Sequence, residues 1–396
     1  MRAMRCRHLL WTLPAPLAAG LLGCGGATGP AQQPPPGATK LAFTVQPTDA
    51  AGAQPITPAV QVAVQDAVGN TVSAATNAVT VTLGSSPSGG TLGGTMTVSA
   101  SQGIATFADL WIDRPGSGYT LGASAAGLSG ATSTPFAVTL TFAAVTTGDA
   151  HTCGVTAGGA AYCWGYNSSG QLGDGTTTNR LSPMLVKAPA GVSFAAVTAG
   201  RLHTCGVTAA GTAYCWGGNG FGQLGDGTAT NRLTPVLVQP PTGVSFAAVD
   251  AGDFHTCGVT AAGTAYCWGA NGSAQLGDGT TIDRSSPVPV PPPTGVSFAA
   301  VTAGRLHTCG VTPAGTAYCW GSNSVGQLGD GTVIDRSSPV PVPPPTGVSF
   351  AAVTAGTAQT CGVTAEGVAY CWGANGSGQL GDGTTTGRLI PVRVLQ

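Results

Sequence analysis

The residues of this chain best suited to chemistry are its cysteines, and ten of the twelve fall into five pairs of one spacing. The pairs are Cys153/Cys163, Cys205/Cys215, Cys257/Cys267, Cys309/Cys319 and Cys361/Cys371. A histidine stands two residues before the first cysteine in four of them (His151, His203, His255, His307), and Gln359 takes that place in the fifth. A tryptophan follows the second cysteine every time: Trp164, Trp216, Trp268, Trp320 and Trp372. A set of this kind can ligate zinc, exchange thiols for disulfides or staple a hairpin.

Turn chemistry discriminates among these. In "HTCGVTAAGTAYCWG" (His203 to Gly217), the segment from Thr208 to Thr212 reads as a three-residue hairpin loop with Gly211 in the left-handed conformation. Val207 then faces Ala213, and Cys205 faces Cys215. Directly opposed antiparallel residues have Cα atoms about 4.5–5.5 Å apart, inside the roughly 4.4–6.8 Å that a disulfide spans. Zinc would want a fourth ligand, which does not repeat, and a histidine that the fifth unit lacks. No short Cys-x-x-Cys motif marks a redox centre. The ten cysteines are therefore assigned to five disulfides, with no metal and no cofactor expected. The histidines are expected as packed strand residues hydrogen-bonded to backbone. By strand alternation each tryptophan lies on the face opposite its cysteines.

A second recurring set is the "GDGT" aspartate (Asp174, Asp226, Asp278, Asp330, Asp382) followed six residues later by an arginine (Arg180, Arg232, Arg284, Arg336, Arg388). Asp is a turn-fixing residue, and one carboxylate per loop is thin for calcium, which takes about six to eight oxygens. Catalysis needs an asymmetric set of groups with distinct roles, whereas nearly every polar residue here recurs. Few acids of this region stand outside the pattern, Asp149, Asp250, Asp253 and Glu366 among them. There is no Gly-Lys phosphate loop and no Gly-x-Ser-x-Gly elbow. The expectation is a protein that is not an enzyme.

The elements that carry these residues repeat. "FAAV" begins at Phe142, Phe194, Phe246, Phe298 and Phe350, a constant step of 52 residues. Each unit runs "FAAV", "TCGVT", "AYCWG", a "GQLGDGT" loop (Ala274 replaces its first Gly in the third unit), the arginine, and an apolar run such as "PVLV". That supplies four short strands per unit, as a propeller blade requires. Gly 63 and Pro 29 disfavour long helices, while 42% hydrophobic residues argue against disorder. A net charge of −1, with Lys40 and Lys187 the only lysines, excludes a nucleic-acid partner.

"AGRLHTCGVT", "AYCWG-x-N" and "GQLGDGT" resemble the repeats of the regulator of chromosome condensation family, across all five units and about 255 residues. The resemblance implies a β-propeller at 141–396. The family's eponymous member has seven repeats and acts as a nucleotide exchange factor on chromatin. Its exchange activity is not carried over to a chain without a basic surface. An open arc would leave an unpaired sheet edge, and "IPVRVL" (Ile390 to Leu395) offers the first unit a strand, so a closed five-bladed ring is expected. The Trp face of each blade should meet one neighbour and the disulfide face the other.

The remainder precedes the repeats. Residues 1–23 read as a signal peptide, with Arg2, Arg5 and Arg7 before an apolar run from Leu9 to Leu22. The ending "LLGC" resembles the lipobox of bacterial lipoproteins, which implies lipidation of Cys24; Cys6 lies in the leader. Residues 24–39 read as a flexible Gly/Pro-rich tether. Residues 40–140 alternate apolar and polar residues between turns, as in an antiparallel sandwich. Their "QP", "DAVGN", "GIATF" and "GYTL" resemble bacterial immunoglobulin-like domains, which implies a structural spacer. The fold class expected is all-β: an immunoglobulin-like sandwich, then a propeller with one disulfide per blade.

Function is expected where the units differ. The two residues before each "HTC" or "QTC" vary (Asp149-Ala150, Arg201-Leu202, Asp253-Phe254, Arg305-Leu306, Thr357-Ala358), as do those soon after "WG". Interfaces favour aromatics and arginine, which selects Tyr166, Arg201, Phe221, Phe254 and Arg305 as a partner-binding rim. The role expected is an exported, membrane-anchored binding or adhesion scaffold, monomeric, for an unknown protein or glycan at the cell surface. Its place would be the cell envelope, as an outer-membrane or cell-surface lipoprotein, or the secreted fraction. An enzyme inhibitor or regulator and a carbohydrate-binding or carbohydrate-active protein are the alternatives. Five staples make the intact mass under non-reducing conditions about ten hydrogens lighter than after reduction, which mass spectrometry reads directly; bound zinc with free thiols would refute the assignment.

Overall fold

The computed structural model describes residues 37–395, all strand, turn and loop with no helix among them. The signal segment, Cys24 and residues 24–36 of the tether lie outside the described residues.

Residues 40–139 form an all-β unit with a core of its own, in which Val62, Val81, Phe107, Tyr119, Leu121 and Phe136 pack together. One sheet joins Lys40–Val45, Val60–Gln65 and Ile104–Phe107; a second is built on Ala78–Leu83 and Leu121–Ser124. Asp66 fixes the expected "DAVGN" turn: its Oδ1 accepts hydrogen bonds from the N–H groups of Val68, Gly69 and Asn70 at 3.0, 2.8 and 2.9 Å. Two pairings depart from the antiparallel expectation: Ala50–Ala51 lies parallel to Phe136–Thr139, and an isolated parallel bridge joins Lys40 to Ser129.

Five four-stranded antiparallel blades follow. The second comprises Ala196–Ala199, His203–Val207, Ala213–Gly217 and Arg232–Leu237. Its register is the one the turn chemistry dictates: Cys205 opposes Cys215 and Val207 opposes Ala213. Gly211 takes a φ of 83°, and the Thr212 N–H donates to Thr208 Oγ1 at 3.1 Å. All five assigned disulfides form: Cys153–Cys163, Cys205–Cys215, Cys257–Cys267, Cys309–Cys319 and Cys361–Cys371. Their Cα–Cα distances, 4.0 to 4.1 Å, are shorter than the expected 4.5–5.5 Å. Each pair occupies a non-hydrogen-bonded position, the closer of the two antiparallel pair types.

The "GQLGDGT" loop is organised by an asparagine whose role the sequence did not reveal. In the second blade Asn219 Nδ2 donates to Asp226 Oδ1 (3.2 Å), Thr228 O (3.1 Å) and Thr230 O (3.0 Å), while its Oδ1 accepts the Leu224 N–H at 2.9 Å. Arg232 meets Asp226 Oδ2 through Nε and Nη2, both at 2.7 Å. Burial pushes the Asp226 carboxyl up, but hydrogen bonds from Thr228 and Arg232 outweigh it and hold the group below its ordinary value. The turn-fixing reading of the aspartates is therefore what the structure contains. The loop drives Leu224 wholly into the core.

Blades join by one repeated contact. Cys205, Val207, Cys215 and Leu224 of the second blade receive Phe246 and Trp268 of the third, and the other three junctions use equivalent residues. Each indole removes on the order of 200 Å² from water, worth at most about 5 kcal/mol at 25 cal/mol per Å². The histidines belong to the same junction. They bond not to backbone, as expected, but to the next blade's threonine: His151 Nε2 lies 2.8 Å from Thr204 Oγ1, and His203, His255 and His307 repeat this with Thr256, Thr308 and Thr360. Each threonine hydroxyl already donates to a carbonyl, Thr204 to Gln171 O at 2.8 Å. The histidine must therefore donate from Nε2–H, leaving Nδ1 as a buried acceptor without a donor.

Five blades make four such junctions, and the expected ring does not close. Arg388–Arg393 pairs within its own blade, and the first blade has its own outer strand, Arg180–Leu185. Because every 52-residue unit holds all four of its strands, none is left to bridge the ends. Among the described residues no packing like that between neighbours joins the first and fifth blades. Leu181 and Val145 of the first blade are exposed, and Trp164 is only half-buried. The N-terminal unit covers part of that leading face: Tyr162 is wholly buried, and a Cβ on Gly52 would come within 2.7 Å of its hydroxyl.

Burial holds the junction imidazoles neutral, lowering His151 and His307 from 6.5 to about 4 and His203 and His255 to about 3. Folded values below the unfolded one mean that the unfolded chain binds more protons in this window, so stability falls as pH drops below about 6.5. The loss at pH 4 should be on the order of 1–3 kcal/mol per histidine. Thermal melts between pH 7 and pH 4 check this, and His203→Gln should flatten the slope; a melting temperature independent of pH would refute the assignment.

Candidate functional site

The same junction geometry lines up the turns between each inner strand and the strand after it. The Gly200 N–H donates to His203 O at 2.9 Å and closes one such turn. The Arg201, Asp253 and Arg305 N–H groups donate to the next blade's Gly252, Gly304 and Gly356 carbonyls at 3.3, 3.2 and 3.2 Å. Turn is thus stacked on turn, and one side chain per blade is held at a shared depression of about 240 Å³: Asp149, Arg201, Asp253, Arg305 and Thr357. Read along the arc the charges alternate, acid, base, acid, base, and end on a hydroxyl.

The disulfide cysteines take no part in this depression. Cys153 and Cys163, Cys205 and Cys215, Cys257 and Cys267, and Cys309 and Cys319 are wholly buried inside the blade junctions. Cys361 and Cys371 sit on the outer face of the fifth blade. Staple and candidate binding surface are therefore separate places, because the hairpin that carries each bond points its sulfurs into a blade face and not at the turns.

Three of the five rim residues selected from the sequence come together. The Arg201 guanidinium lies 5.3 Å from the centre of the Phe254 ring, and Phe254 meets Phe221 edge-on at 5.7 Å. Arg201 Nε is also 3.6 Å from Asp149 Oδ2. Arg305 lies further along the depression, 3.8 Å from Asp253 Oδ2. Tyr166 is exposed on the first blade, and no described contact joins its ring to this cluster. Phe221 is 46% exposed, so the cluster offers apolar surface beside charge.

The acids play parts that a search for arginine and aromatics passes over. Burial pushes the Asp253 carboxyl up, and Arg201 and Arg305 pull it back. Asp250 stands where the other blades have Thr146, Thr198, Thr302 and Thr354. It accepts Thr198 Oγ1–H and the Ala303 N–H, both at 2.9 Å, and so ties the second, third and fourth blades together. Its departure from the threonine of the other repeats was the available signal. Among the described residues no three His, Cys, Asp or Glu side chains are grouped to hold a metal.

Residues 63–395 match the model of the RCC1-like domain. The chain belongs to the RCC1-like domain family. The match begins inside the N-terminal unit rather than at its end. The chain is 36% identical over 244 residues to the ultraviolet-B receptor UVR8 of Arabidopsis thaliana, covering 62% of this chain and 56% of that protein. It is 32% identical over 257 residues to the E3 ubiquitin-protein ligase HERC2 of Homo sapiens, covering 64% of this chain and 5% of that one. The RCC1-like chain thus spans little more than half of one of these relatives and a small part of the other. Among solved structures, human WBSCR16 aligns with a TM-score of 0.59 at 18% identity, over 81% of this chain and 95% of that one. Yeast RCC1 aligns with a TM-score of 0.57 at 18% identity, over 66% and 65%. Both show the fold.

Rim and scaffold should separate in denaturant titrations. Arg201→Ala removes one exposed ion pair and one ring contact, for a loss of about 1 kcal/mol or less. Asn219→Ala leaves buried loop groups unpaired and should cost about 2 kcal/mol or more. Equal losses from the two would place Arg201 in the scaffold instead.

Proposed function

We propose that this protein binds a protein partner through the rim of its propeller arc, by contact rather than catalysis. The observation that carries the reading is the Arg201–Phe254–Phe221 cluster, half-buried at Arg201 and Phe254 and exposed at Phe221, beside the alternating charges. It is built at positions that differ among otherwise equal repeats, which is how repeat scaffolds make binding faces. Aromatic residues and arginine are the side chains that dominate binding energy at interfaces. The structure of yeast RCC1 holds a second protein bound to it, which agrees with such a role for the fold. The open face of Phe254 is already taken by Arg201, which leaves little flat aromatic surface for a sugar and favours protein over glycan. Inhibition or regulation of an enzyme by this chain would be one form of such binding, with the enzyme as the partner protein.

The setting we propose is the cell envelope, with the chain exported, anchored by a lipid on Cys24 and carrying residues 40–140 as an immunoglobulin-like spacer. Five disulfides favour an oxidising compartment, and the separate core of the N-terminal unit suits a spacer. Capture of envelope proteins on the wild-type chain, with a glycan array alongside, tests the reading. Phe221→Ala and Phe254→Ala should weaken a specific protein capture by about tenfold or more. Glycan binding without protein capture, or turnover of a polysaccharide, would overturn it.

A further inference from the structure

The five disulfides are equal in sequence and unequal in setting. In the first four blades both cysteines are wholly buried. Phe and Trp of the following blade lie on each of these bonds. The following blade's threonine hydroxyl stands 3.8 to 3.9 Å from the first sulfur: Thr204 from Cys153, Thr256 from Cys205, Thr308 from Cys257, Thr360 from Cys309. Among the described residues no blade packs on the outer face of the fifth. Cys361 is half-buried, Cys371 is 5% exposed, and Val363 beside them is 37% exposed where its counterparts show 2 or 3%.

Thiol–disulfide exchange needs a thiolate to reach a sulfur, so access controls which bond reacts. At the four inner bonds a blade junction must open first; at the fifth no such junction has to open. We propose that Cys361–Cys371 is a thiol–disulfide exchange site, reduced by dithiols at the open end of the arc while the other four bonds stay closed. In the first step a thiolate of the dithiol bonds to Cys361 Sγ as the Cys361–Cys371 bond breaks. Cys371 leaves as a thiolate and takes a proton from water. The reductant's second thiolate then attacks the mixed disulfide, closing its own disulfide and releasing Cys361, which is protonated in turn. The protein bond gains two electrons and two protons, and the dithiol is oxidised. Reduction unstaples the hairpin of Gln359–Val363 and Ala369–Gly373 and leaves the blades that carry Arg201, Phe221 and Phe254 intact.

The test is native protein exposed to graded dithiothreitol, alkylated with iodoacetamide and mapped by peptide mass spectrometry. Cys361 and Cys371 should be labelled at least about tenfold faster than any other pair. One common rate for all five pairs, or an inner pair reacting first, would overturn the proposal. The Cys361→Ser/Cys371→Ser variant should lose the fast phase and keep the other eight cysteines protected. A fast phase that persists in it would also overturn the proposal. If that variant fails to fold, the labelling order in the wild-type chain decides alone.

Discussion

The indole and phenyl rings of one blade, laid on the disulfide face of the blade before it, are the contact on which the arc depends. Blade strands made of Gly, Ala, Thr and Val have little side-chain mass with which to form a core alone. The disulfide supplies what they lack, a compact apolar surface fixed in position across the hairpin, and the aromatic pair then has something rigid to pack on. The His–Thr hydrogen bond sets the inner edge of the same contact. Covalent staple, aromatic packing and buried hydrogen bond are therefore parts of one junction, and weakening any of them loosens the others.

Because the junction fixes the spacing of the blades, the inner turns are relieved of structural duty at their outermost side chain. Their backbones are held by bonds from blade to blade, so Asp149, Arg201, Asp253, Arg305 and Thr357 can differ without disturbing the stack. The alternating charges screen one another and keep the depression close to neutral. What distinguishes its margin beside Arg201 is apolar surface, from Phe221 of the second blade and Phe254 of the third.

Much of this was legible in the sequence because it is local. The Thr-Ala-Ala-Gly-Thr turn alone set the register that opposes Cys205 and Cys215, and the same turn geometry pairs Cys153 with Cys163, Cys257 with Cys267 and Cys309 with Cys319. The fixed step of 52 residues set the blade. What failed to show was what happens between units. The ring was expected to close from the liability of a sheet edge, but the exposed surfaces at the ends are blade faces, and the N-terminal unit lies over Tyr162 at one of them. Gln359 counted against a metal site, and it also falls on the one blade whose outer face offers no described threonine for a histidine to reach. Arg201, Phe221 and Phe254 were recognisable as variable residues. That they touch depends on packing across two blades, which spacing along the chain does not encode.

The junction has one further consequence, for how such a chain can change in length. Each inner blade presents a donor face and an acceptor face of the same kind, so a duplicated 52-residue segment would fit between two neighbours without redesign. Copy number is then left free for gene duplication to explore, and the outline of the molecule follows from it. The fifth copy alone would meet an added neighbour differently, with an amide in place of an imidazole. One codon, glutamine in place of histidine at Gln359, sets how that copy would meet a further neighbour.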